Sequence, residues 1–118
     1  MATIKSYTDL DQSKKLAEIL PLDSADMYYT PSLIKGHTGY FPHLKRKLLI
    51  DWDIEQAIPC WSLSALLGVL PDYTLQTNTD GTVFVVCENK KPMISDAYDN
   101  PVDACYTLIL KLHELNLL

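Results

Sequence analysis

Leu63, Leu66, Leu67 and Leu70 recur at i, i+3, i+4 and i+7, a spacing that predicts a short helix with one apolar face over 62–70. Ser62 stands at its N-cap, Trp61 and Leu66 hold the N′ and N4 positions of a hydrophobic staple, and Pro71 closes it. The same period in Val102, Cys105, Leu108, Ile109, Leu112 and Leu115 predicts a second helix over 101–115. Its start is written in Asn100 as N-cap, Pro101 at N1 and Asp103 at N3. A third helix is expected over 8–20, with Thr8 as cap, Asp9 and Asp11 in the first turn, and Leu10, Leu16, Ala17, Ile19 and Leu20 on one side before Pro21.

Between the last two helices the period changes from 3.6 to 2. Tyr73–Thr77 and Thr82–Glu88 read as strands, joined by Asn78-Thr79-Asp80-Gly81, whose Asp-Gly supplies the positive φ of a tight hairpin. A break at Asn89-Lys90-Lys91-Pro92 leads to a third strand, Met93 to Tyr98, which makes a three-stranded antiparallel meander over about 73–98. From Leu22 to Ala57 the pattern weakens. Asp23 to Tyr29 fits a turn of helix or a strand, and Thr30 to His43, with Pro31, Gly36, Gly39 and Pro42, is expected to be a loop. Ile50, Trp52 and Ile54 alternate with Asp51, Asp53 and Glu55, so 48–55 is a candidate fourth strand. The fold class is therefore α+β: a small antiparallel sheet packed against helices 8–20, 62–70 and 101–115. Three strands leave two edges, to be closed by the N-terminal segment or by a second subunit.

Composition bounds the rest. A chain of 118 residues, 47% hydrophobic and 21% charged, is expected to form a single domain with its own core. The net charge of −5 disfavours sequence-independent binding to nucleic acid, whose phosphates need a basic footprint. No apolar run suggests a membrane helix, and Met1 to Ser6 lacks the apolar core of a signal peptide, so a cytoplasmic location is expected. Cys60, Cys87 and Cys105 are odd in number, far apart and set in apolar contexts, which suits reduced, buried thiols.

Each candidate for chemistry has a plainer reading beside it. Cys60 precedes a helix, where a thiol can be activated, with His37, His43 and His113 elsewhere in the chain; but Pro59-Cys60-Trp61 reads as packing at the helix entrance, with no thiol-enzyme signature around it, and a structural cysteine is the expectation. Asp51, Asp53 and Glu55 share a strand face open to a hard cation, but a solvated face is the simpler account, and no metal or other cofactor is implied. Lys45, Arg46 and Lys47, next to Tyr40, Phe41 and His43, are the nucleic-acid candidates, in a chain whose overall charge argues against that partner. No phosphate loop, HExxH or GxSxG occurs. Catalytic residues are accordingly not assigned.

Three segments carry a resemblance: Ser24-Ala25-Asp26-Met27-Tyr28-Tyr29, then Ile58 through Pro71, then Asp99 through Cys105 with Leu112-His113-Glu114. Together they resemble small proteins of Bacteroides and related gut bacteria, often carried by prophages or other mobile elements, a group that brings no activity with it. The resemblance implies a bacterial cytoplasmic setting and a phage connection. Most of these shared residues are explained by capping and packing; Asp26, Tyr28 and Tyr29 are not, and with Tyr40, Phe41 and Trp52 they become candidates for an interaction surface, since aromatic side chains favour interface anchors. The expected function is a non-enzymatic accessory or protein-interaction module, a homodimer or the partner of another protein, recognising through a sheet edge or the 26–54 region. The alternatives are a ligand pocket or active site using Asp26, Tyr28, His37 or Cys60, and nucleic-acid binding through Lys45, Arg46 and Lys47.

Overall fold

A computed structural model describes residues 5–31, 39–44, 57–88 and 92–118. Among these residues three α-helices, α1 (Leu10–Ala17), α2 (Leu63–Val69) and α3 (Pro101–Glu114), accompany two three-stranded antiparallel sheets, an α+β fold. One sheet is built from β1 (Met27–Pro31), β2 (Tyr40–Leu44) and β3 (Ile58–Cys60) in the order β2-β1-β3. The other is the meander of β4 (Tyr73–Thr77), β5 (Val83–Cys87) and β6 (Met93–Ile94) in the order β4-β5-β6.

The helices are where their caps put them, with shorter ends. α1 spans residues 10–17 instead of 8–20, and its cap is Asp9 rather than Thr8. The Asp9 carboxylate accepts from the Gln12 N–H while the Gln12 side chain accepts from the Asp9 N–H, a reciprocal capping box that Thr8 lacks the matching residue to form. Thr8 is instead fully buried, its hydroxyl accepting from the Trp61 N–H and bonded to Ser13 Oγ. Ser62 caps α2 by accepting from the Ala65 N–H. Asn100 caps α3 by accepting from the Asp103 N–H. α3 ends one residue early, in a Schellman motif: Asn116 takes φ +58°, its N–H reaches the His113 carbonyl and the Leu117 N–H reaches the Leu112 carbonyl. Leu115 is therefore carried off the helix's apolar face and stands 52% exposed.

The first sheet places residues 30–31 and 40–43, expected to belong to a loop over 30–43, in strands; residues 32–38 of that stretch lie outside the described residues. Pro31, Pro42 and Pro59 argue against strands in the sequence, yet all three lie in them. The geometry tolerates them because of where they fall. Pro59 has no N–H, so its pairing with Tyr28 is of the non-hydrogen-bonded kind, and alternation then turns the backbone of Tyr29 toward β3. Pro42 lies opposite Tyr29, so its nitrogen sits on the outer side of β2, where no ladder bond is lost. The candidate strand 48–55 lies outside the described residues.

In the meander, Gly81 takes φ +92° at the hairpin and its N–H reaches the Asn78 carbonyl, as the Asp-Gly turn predicts. The third strand is shorter than the expected 93–98. After Ile94 the Ser95 hydroxyl accepts the Val85 N–H, a bond that a regular ladder would give to a carbonyl, and pairing resumes only as a bridge at Tyr98. One cluster of buried side chains ties the molecule together: Leu16 and Leu20, Trp61, Leu66 and Leu70, Val85 and Cys87, and the Val102, Cys105, Leu108, Ile109 and Leu112 face of α3.

Candidate interaction edge

Among the described residues, three of the four sheet edges carry a feature that disfavours strand addition. The outer side of β3 carries Pro59, which has no donor, and the Thr8 N–H reaches the Trp61 carbonyl just beyond it. β2 has Pro42 at its centre with the imide nitrogen outward. β6 is only two residues long. Short strands and outward prolines are the devices that keep edges from pairing with other chains.

β4 has neither device. The Asn78 N–H to Thr82 carbonyl bond at one end and the Glu88 N–H to Asp72 carbonyl bond at the other fix the phase of the β4–β5 ladder. Between them the inward hydrogen bonds belong to Thr74 and Gln76, opposite Val86 and Phe84. The N–H and C=O groups of Tyr73, Leu75 and Thr77 therefore point away from β5. No described residue pairs with that side. The strand Tyr73-Thr74-Leu75-Gln76-Thr77 contains no proline, glycine or charge, and every residue in it is exposed.

The side chains sharpen the picture. Leu75 lies opposite Val85 and Tyr73 opposite Cys87, so they share the sheet face that α3 covers. Val85 and Cys87 are buried there, but α3 packs on β5 and β6, and Tyr73 and Leu75 remain 43% and 36% exposed. Among the described residues, the core face of the sheet thus runs past its helix and ends in an exposed apolar strip beside an unpaired backbone edge.

The residues singled out in the sequence divide between interior and surface. Asp26 has a structural task that the sequence does not reveal. Its carboxylate accepts from both the Ser62 N–H and the Ser62 hydroxyl, steadying the cap of α2. Tyr29 is buried, its hydroxyl donating to the Thr8 carbonyl at 2.7 Å; burial, with Cys60 beside it, pushes its pKa far up and keeps it neutral. Tyr28 is half-buried on β1, facing Pro59 and His43 along the ladders. Tyr40 and Phe41 are exposed on β2 at 41% and 45%, on opposite faces as neighbours in a strand must be. Trp52, His37, Lys45, Arg46 and Lys47 lie outside the described residues.

Cys60, Cys87 and Cys105 are free and buried. Burial raises the Cys60 pKa, outweighing the hydrogen bonds from Thr8 and Ser13 that lower it, which is the reverse of an activated nucleophile. Burial pushes the Cys105 thiol up to about 12. An open groove of about 380 Å³ lies between α1 and α3, lined by Lys15, Ile19, Leu110, His113 and Glu114, and gathers none of Asp26, Tyr28 or Cys60. Among the described residues no three His, Cys, Asp or Glu side chains are placed to hold a metal, and no helix is long and apolar enough to cross a membrane.

The β4 edge was not among the site residues expected from the sequence, although a sheet edge was named as one mode of recognition. The signal was present: an uncharged strand of five residues at the start of a meander, where the first strand is necessarily an edge unless something else joins it. No protein-family model, curated protein or solved structure matches the chain.

Proposed function

We propose that this protein is a binding module that works by strand addition: a protein partner adds a β-strand to β4. The observation that carries this reading is the contrast between β4 and the other edges. Five uncharged residues present three outward N–H and C=O pairs next to the apolar strip of Tyr73 and Leu75, while β2 and β3 each carry an outward proline and β6 is only two residues long. In strand addition the main chain supplies affinity, and alternate side chains supply specificity. Here the backbone of Tyr73, Leu75 and Thr77 would receive the partner strand, and their side chains would meet its apolar residues. Tyr40 on β2 belongs to a different edge and is not required. The bacterial accessory setting expected from the sequence is consistent with a small module of this kind.

The test compares capture of proteins from host lysate by the wild type, Leu75→Pro and Tyr40→Ala. Proline at 75 removes an outward N–H without taking a bond from the β4–β5 ladder, so circular dichroism and thermal unfolding should remain close to wild type. A protein captured by the wild type and by Tyr40→Ala, and lost with folded Leu75→Pro, is the expected result. Capture indifferent to Leu75→Pro overturns the reading.

A further inference from the structure

The β4 strand is complementary to itself, and we infer that the strand added to it is β4 of a second copy of this chain. The inference rests on the strand-addition reading above and names its occupant. Two copies related by a two-fold axis through Leu75 pair Leu75 with Leu75, and Tyr73 with Thr77 in both directions. The outward groups belong to residues 73, 75 and 77, so every pair in this register is of the hydrogen-bonded kind. All three N–H and all three C=O groups of each copy find partners. Shifting the register by two residues either way leaves an outward pair unmatched.

Charge points the same way. The chain carries a net −5, which opposes self-association except through a neutral surface. Residues 73–77 are such a surface, and the register about Leu75 sets the flanking Asp72 opposite Asn78. In the register shifted to pair Leu75 with Thr77, Asp72 would face Asp80, an unfavourable like-charge pair. The side chains follow suit. Leu75 meets Leu75 on the core face, flanked by the Tyr73 rings, while Thr74 and Gln76 pair with each other on the opposite face. The product is a continuous six-stranded sheet, β6-β5-β4-β4-β5-β6, with both α3 helices on one side of it. Interfaces that rest on one short strand pair fall below the usual size of about 1,600 Å², so the dimer is expected to be weak and to form as concentration rises.

Sedimentation velocity over a concentration series, with charge-reversal variants, tests this. The wild type should pass from 13.4 kDa toward twice that mass as it is concentrated. Leu75→Lys and Leu75→Glu each place two like charges across the axis and should remain monomeric alone at every concentration. Mixed in equal amounts they should recover the dimer, because only at a two-fold axis does a residue face its own counterpart. A folded wild type that stays monomeric throughout overturns the second copy as occupant. So does a dimer that persists in both charged variants, since its contact must then lie elsewhere. Neither result decides strand addition itself, which the Leu75→Pro capture answers separately.

Discussion

Asp26, Ser62 and Ala65 form a relay in which the carboxylate accepts from the Ser62 hydroxyl and that hydroxyl in turn accepts the Ala65 N–H at the first turn of α2. The same carboxylate takes the Ser62 N–H at 2.9 Å. Replacing Asp26 by alanine strips a partly buried N–H of its acceptor and frees the cap. The expected cost is about 1–3 kcal/mol. It should appear as a lower urea midpoint at unchanged slope, and dimer formation by the folded variant should match wild type. An Asp26→Ala protein that folds normally but loses binding would return Asp26 to the interaction surface. The caps of α2 and α3 were legible because Ser62 and Asn100 act on residues three positions away. The role of Asp26 was not, since its partner lies 36 residues along the chain and only the tertiary fold brings the two together.

α1 and α3 are joined at their N-terminal ends by a small polar cluster. Lys5 Nζ donates to Asp103 at 2.8 Å and to Asp9 at 3.2 Å, while Gln12 and Asn100 donate to the two oxygens of the same Asp103 carboxylate. Burial works against the charged form of Asp103, but the hydrogen bonds from Lys5, Gln12 and Asn100 prevail and hold its pKa below the ordinary 3.8. Burial likewise opposes charge on Lys5, and its bonds to Asp103 and Asp9 outweigh it, so that pKa lies above 10.5. The sign of the linkage follows. A carboxyl whose pKa is depressed by folding contributes stability that is present above its unfolded value and drains away as pH falls through the folded one. The lysine's contribution is whole below its unfolded value and is lost as pH rises through the raised one. Wild type and Asp103→Asn should therefore differ by about 1–2 kcal/mol at neutral pH, a modest figure because both side chains are partly solvated. The difference should shrink as pH is lowered beneath 3.8, read from urea unfolding at a series of pH values. A gap that stays constant into acid would assign the cost to lost packing rather than to charge.

Elements made by neighbours in sequence were readable, and those made by distant segments were not. The β4–β5 hairpin needs only its alternation and an Asp-Gly turn. The β2-β1-β3 sheet joins segments centred near 29, 42 and 59, and each carries a proline whose harmlessness depends on which way the opposite strand turns its backbone. That phase is a property of the pairing and is written in no single strand.

On the scale of the molecule, the account turns on how four strand edges are treated. Among the described residues, three are guarded by an outward proline, by brevity or by the N-terminal segment, whose Tyr7 bridges to Ser62. The fourth, β4, is uncharged and pairs with no described residue on its outer side, beside the apolar strip of Tyr73 and Leu75. The measurement that tests this most directly is amide hydrogen exchange along β4, resolved residue by residue, in dilute and in concentrated protein. In dilute solution Thr74 and Gln76, bonded to β5, should exchange slowly, while Tyr73, Leu75 and Thr77 exchange fast. In concentrated solution all five should be protected. If Tyr73, Leu75 and Thr77 remain fast while protection rises on another element, or are already slow in dilute monomer, β4 is not the docking edge and the account fails.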